Sequence, residues 1–176
     1  MTANILEFKS RQRKRHQPEP INYLPEPMIY VFDLDGTLAN NLHRQALLPN
    51  REFLKNSNED IARFWDASVN DEPHHPVAEI ARSLYDYHDI VILTSRSEYL
   101  REQTEDWLER SDIPFDELIM RPEEDELLHT PTFKVRELKS IMARGGKVAA
   151  MFEDHSGVVR EVRKLGIICL QMPETI

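Results

Sequence analysis

Asp33 and Asp35 flank Leu34 in the stretch YVFDLDGTLAN, residues 30–40, where an apolar run gives way to glycine. Met28 to Phe32 has the β-branched and aromatic content of a buried strand. Residues i and i+2 of a strand point the same way, so both carboxylates leave its end on one side. At roughly 6 Å and an effective dielectric of about 20, two ionised carboxylates repel by about 3 kcal/mol, so the pair calls for a proton or a cation. Two acids so placed can divide labour: one, ionised, acts as nucleophile, and the other, protonated, gives its proton to a leaving group. Farther along, Thr94 and Arg96 in VILTSRS and Lys134 in TPTFKV offer donors of the kind a phosphate needs, and Glu153-Asp154 adds two more acids. Four carboxylates in one crevice suit a hard divalent cation with oxygen ligands. Mg²⁺ is the natural choice, with its open positions filled by water and a substrate phosphate.

These residues meet only if their strands end along one rim. Val77, Ile80, Ala81 and Leu84 recur at helical spacing, and DIVILT (89–94) then reads as a buried strand; Leu100, Thr104, Trp107 and Leu108 mark a second helix, followed by the short strand FDELIM (115–120). Thr130-Pro131 opens a third helix that runs to about Arg144 and stops at Gly145-Gly146. KVAAMF (147–152) is a strand, Val158, Val159, Val162 and Leu165 line a helix, and GIICLQ (166–171) is a last strand. The alternation predicts an α/β, Rossmann-like fold: a mostly parallel central sheet flanked by helices, with the ligand site beyond the carboxyl ends of the strands. In this reading Thr130 is an N-cap, Pro131 is N1 and Lys134 sits at about N4, exposed, where its charge opposes the helix dipole and a bound anion would offset the penalty. Residues 38–76 are too long for a simple connection and carry a weak helix around Phe53 to Ala67, which predicts a small cap or substrate-lining insertion.

Composition bounds the rest. The 176 residues carry a net charge of −9 with a pI near 5.3, and no apolar run approaches the roughly 18 residues of a membrane span. Residues 1–27 read as a basic, proline-rich arm ahead of a single domain over 28–176. The arm holds five of the 22 basic and three of the 31 acidic groups, leaving 17 against 28, a balance of −11, in the body. Such a field opposes long polyanions, so contact with nucleic acid falls to local cations or to the RQRKRH cluster of the arm, which otherwise serves as a solubilising tail or an oligomer contact. The N-terminus lacks the apolar core of a signal peptide and Cys169 is the only cysteine, which fits a reducing, cytoplasmic setting. Cys169 reads as a buried strand residue. His74-His75, between prolines, reads as a turn; Trp107 reads as packing, and Trp65 as packing or as a platform for a base.

VFDLDGTL, VILTSRS, Lys134 and MFEDHSGVV resemble, in order, the four motifs of the haloacid dehalogenase (HAD) superfamily, over about residues 28–172. DLDGTLA with the following Arg44, RFWDASVNDEP, ILTSRSEYLREQTEDWL, IPFDELIMRP and GIICLQ are similar to the 3′-phosphatase domain of bacteriophage-type polynucleotide kinases and their stand-alone relatives. The resemblance implies a HAD fold and an Mg²⁺-dependent phosphomonoesterase working through an aspartyl-phosphate. It makes Asp33 the nucleophile and Asp35 the general acid/base. Thr94 and Lys134 would hold the transferring phosphoryl group, and Arg44 and Arg96 would approach the substrate. The Asp33 carboxylate, the Asp35 carbonyl and Asp154 would hold the metal, with Glu153 able to add an oxygen. Three positions depart from the pattern: Ser95 where relatives have glycine, Glu153 where they have aspartate, and Thr130 where an aspartate stands four residues before the motif lysine. GGKVAA lacks the G-x-x-x-x-G-K-[ST] phosphate loop, so no kinase is expected. The substrate implied is a 3′-phosphate at a nucleic-acid end. A 5′-(deoxy)nucleotidase on mononucleotides is the alternative, and a non-catalytic HAD-fold interaction protein is disfavoured because every motif position still holds a group able to do the chemistry.

Overall fold

A computed structural model describes residues 26–50 and 55–173. The arm over residues 1–27 lies almost wholly outside the described residues, as does the first part of the helix expected from Phe53.

Five parallel strands form the central sheet: β1 (Ile29–Phe32), β4 (Asp89–Ser97), β5 (Glu117–Arg121), β6 (Val148–Glu153) and β7 (Ile168–Gln171), in the order β5-β4-β1-β6-β7. All five correspond to the predicted strands, within a few residues at their ends. Neighbouring residues of each strand serve opposite faces of the sheet. Phe32, Ile90, Ile92 and Phe152 pack on one face with α3 (His75–Tyr85) and α4 (Arg101–Arg110), where Val77, Ala81, Trp107 and Leu108 are buried. Val31, Val91, Leu93 and Met151 pack on the other with α5 (Thr130–Ala143) and α6 (Ser156–Lys164), through Phe133, Leu138, Ile141, Val158 and Val162. Burial on both faces explains why these strands read as continuous apolar runs. Cys169 is free and buried in β7, and burial, then the nearby Glu153 charge, pushes its thiol up to about 11.

Between β1 and α3 the chain makes a long excursion. Gly36, with φ +87°, turns it back immediately after Asp35, a conformation in which a side chain would be strained. β2 (Ala39–Asn40) pairs antiparallel with β3 (Glu72–Pro73), and between them lie α1 (Leu42–Gln45) and α2 (Asn58–Asp66). Ser57 caps α2 in a reciprocal box with Asp60.

Two local expectations are corrected. Thr130 is the first residue of α5 rather than its cap; the cap position belongs to His129, and Lys134 falls one residue deeper than expected and is buried, 2% exposed. The Thr130 hydroxyl instead accepts a hydrogen bond from Arg121 Nη2 at 2.9 Å. His75 is helical, with His74 as the cap residue of α3 and Pro76 at the second position, where a missing N–H costs nothing. No helix among the described residues is long and apolar enough to cross a membrane.

Candidate active site

The carboxyl ends of β1, β4 and β6 lie side by side because β1 is the middle strand and pairs in parallel with both neighbours. Asp33 follows β1 directly, is 4% exposed, and is fixed at the backbone by its N–H donating to the Phe152 carbonyl at 2.9 Å. Lys134, from α5, donates to Asp33 Oδ1 and, at 2.7 Å, to Glu153 Oε2 at the end of β6. The other oxygen of Glu153 accepts from the His155 N–H at 3.0 Å, so both of its oxygens are engaged. One ammonium thus lies between two buried acids. Thr94, at the end of β4's buried run, is 1% exposed, and its Oγ1 accepts the Arg96 N–H at 3.1 Å.

Charge is unbalanced here. Burial and the Glu153 charge push Asp33 up to about 7 against the pull of Lys134. Asp154 is pushed to about 6 by burial and by Asp33, and Glu153 is raised by burial despite Lys134. Burial alone would depress Lys134, but Asp33 and Glu153 outweigh it and hold the ammonium firmly charged. Each of Asp33, Glu153 and Asp154 offers an oxygen within 4.8 Å of the others. Three hard oxygen donors, crowded and short of positive charge, fit a small divalent cation, and with two oxygens of Glu153 occupied the better donors are Asp33 and Asp154.

Asp35 belongs to a second cluster. Arg96 Nε and Nη2 donate to its two oxygens at 2.9 and 2.8 Å, and Arg44 Nη2, from α1, donates to Oδ1. Behind the arginines stands Asp71, immediately before β3. Arg44 Nε reaches its Oδ1 at 2.9 Å, Arg44 Nη2 its Oδ2 at 2.7 Å, and Arg96 Nη2 the same Oδ2 at 3.3 Å. The guanidinium of Arg44 lies 4.3 Å from the Phe64 ring centroid and 5.3 Å from that of Trp65, and that of Arg96 lies 5.8 Å from Trp65. Burial would raise Asp35, yet the charges of Arg96 and Arg44 prevail and hold it well below the usual carboxylate range. In this arrangement Asp35 is ionised, not the protonated acid expected from sequence, and the two arginines expected at the substrate are bound to it.

Asp33, Thr94, Lys134, Glu153 and Asp154 therefore collect at the three central strand ends, and Arg44 and Arg96 join through Asp35. Asp71 escaped the sequence reading. No local signal marked it: RFWDASVNDEP holds three acids, and only the fold brings one of them to the arginines.

A parallel five-stranded sheet with helices on both faces, and paired acids at the tip of its central strand, are the arrangement expected of a HAD-superfamily phosphatase. The family described as polynucleotide kinase PNKP phosphatase domain matches residues 27–175, and the chain belongs to it. No curated protein matches. Among solved structures, the chain is similar to one in the Pnkp1/Rnl/Hen1 complex, with 23% identity and a TM-score of 0.65 over 85% of this chain and 47% of that one. It thus spans about half the length of that protein. It is also similar to a predicted phosphatase from Clostridium acetobutylicum (17% identity, TM-score 0.61, 84% and 85% covered) and to a class C acid phosphatase from Bacillus anthracis with tungstate bound (16%, 0.55, 86% and 69%).

Proposed function

We propose that this phosphatase removes a terminal 3′-phosphate from a nucleic-acid end through an aspartyl-phosphate on Asp33. The observation that carries the reading is the placement of Asp33, buried at the tip of the central strand and held by Lys134, with Asp35 two residues on. Asp33 attacks phosphorus as the bond to the 3′-oxygen breaks, and Asp35 supplies the proton that oxygen takes. Water then attacks the phosphorus of the aspartyl-phosphate, Asp35 takes its proton, and phosphate leaves. The ionised Asp35 is already suited to the second half. For the first, its two guanidiniums must be drawn toward the substrate's anionic groups, which lets its pKa climb. Thr94 and Lys134 hold the transferring group, and Arg44 and Arg96 contact the chain beyond it.

Asp33 and Asp154, with the Asp35 carbonyl, would hold Mg²⁺. Bound there, the ion would neutralise phosphoryl oxygens and keep Asp33 ionised near neutrality. The elements over residues 38–76 carry Arg44 and Asp71 to the rim, which supports reading them as a small substrate-lining cap. The family match favours a nucleic-acid end, and the net charge of −9 favours a mononucleotide. Phosphate release from a 3′-phosphorylated oligonucleotide, compared with 3′- and 5′-mononucleotides under Mg²⁺, decides between them. Preference for the 5′-mononucleotide would overturn the proposal.

A further inference from the structure

The two carboxylates that bracket Arg44 and Arg96 are not equivalent. Asp35 keeps 20% of its side-chain surface open, whereas Arg44, Arg96 and Asp71 show none. An anion arriving from solvent meets the Asp35 side first, and Asp71 lies behind. Asp71 is itself held: its Oδ1 contacts His43 Nε2 at 2.9 Å, its carbonyl accepts from Trp107 Nε1 at 2.8 Å, and its N–H donates to the Ser68 carbonyl at 3.1 Å. Nothing in the reaction uses Asp71, yet its carboxylate accepts hydrogen bonds from both guanidiniums.

We infer that Asp71 is a positioning residue, which holds Arg44 and Arg96 from behind so that their front faces take the phosphodiester next to the reacting phosphate once Asp35 gives way. This rests on the nucleic-acid-end reading above. A planar guanidinium offers donors on two edges. Asp71 pins the Nε–Nη2 edge of Arg44 and, through Nη2 alone, one corner of Arg96, which fixes the direction of their remaining donors whichever anion meets them. Two buried guanidiniums against two carboxylates also leave no net charge. Without Asp71, both arginines have only Asp35 as counter-charge, and the incoming phosphodiester must compete with it.

Asp71→Asn and Asp71→Glu test this, with KM and kcat measured on a 3′-phosphorylated oligonucleotide and on an aryl phosphate that lacks a second phosphate. For Asp71→Asn, KM for the oligonucleotide is expected to rise roughly tenfold with kcat within about threefold, and both constants for the aryl phosphate to stay within about threefold. Asp71→Glu, which keeps the charge the guanidiniums need, should fold and show an intermediate KM. A melt accompanies each variant; if Asp71→Asn does not fold, Asp71→Glu with wild-type KM for the oligonucleotide overturns the role. An equal fall in kcat on both substrates at unchanged KM also overturns it, since that is the mark of a structural support. A wild type that cleaves the aryl phosphate but not the oligonucleotide would instead overturn the proposed substrate, and the role with it.

Discussion

Lys134 and Asp33, 101 residues apart in sequence, share a buried hydrogen bond at the carboxyl end of β1. The same ammonium serves Glu153, so its loss would strand two acids in the interior. Removing one partner of a buried ion pair costs about 3 to 5 kcal/mol. Lys134→Met is therefore expected to melt well below wild type, to be inactive, and to regain more stability from Mg²⁺ than wild type does. Thermal melts with and without Mg²⁺ check this; a variant as stable as wild type would mean that Asp33 and Glu153 are neutral without their lysine.

Asp33→Asn is expected to abolish turnover, because an amide is a poor nucleophile and a weaker metal ligand. Chelation of divalent ions should likewise stop the wild type, and Mg²⁺ should restore it. Initial rates on a nucleotide phosphate measure both. A variant within about tenfold of wild type would remove Asp33 from the chemistry.

Metal-free stability should depend on pH through Asp33 and Asp154, which the fold raises from 3.8 to about 7 by burial and the Glu153 charge, and to about 6 by burial and the Asp33 charge. An acid with a raised folded pKa binds its proton more tightly when folded. Its stabilisation is full below the unfolded pKa and is lost as pH climbs through the folded one. Tm should accordingly fall as pH rises from 3.8 toward 7, and fall less in Asp33→Asn. Calorimetry on the two proteins gives the difference; parallel curves would show that Asp33 is ionised throughout.

Asp35→Asn should cripple hydrolysis of nucleotide phosphates far more than that of aryl phosphates, since an activated phenolate leaves with little help from a proton. Parallel kcat measurements on the two substrate classes test it. Equal losses would argue against an acid role.

Thr130→Ala removes the acceptor for Arg121 Nη2 and should cost about 0.5 to 1.5 kcal/mol. Arg121 Nε is buried with no partner, so Thr130→Asp, which adds a carboxylate beside the guanidinium and in the first turn of α5, should melt at or above wild type. Denaturant melts of both variants check the order. Alanine as stable as threonine would show that the Arg121 bond contributes nothing.

The strands and the acids at their tips were legible because both rest on local pattern: a two-face buried strand is a continuous apolar run, and an acid just past it can only lie on the rim. Lys134 was found but misplaced. Thr-Pro looks like cap and N1, whereas the Thr130 hydroxyl is taken by Arg121, nine residues back, and Phe133 and Leu138 turn this part of α5 inward. Asp71 was illegible because periodicity registers apolar residues. A carboxylate between Asn70 and Glu72 looks solvated, and what buries it are arginines 27 and 25 residues away.

The middle position of β1 also sets an order of opening. Its amides are locked between β4 and β6, so the backbone that carries Asp33 should exchange hydrogen only on global unfolding, along with β4 and β6. The excursion between β1 and α3 closes through a ribbon of two residues per strand. It attaches to the body through ion pairs from Arg44 to Asp35 and from Asp71 to Arg96, and through hydrogen bonds from Gln103, Trp107 and Arg110 of α4. Protection against exchange should therefore drop sharply from the nucleophile's strand to the segment bearing Arg44, so that one part of the site can breathe while the other stays fixed.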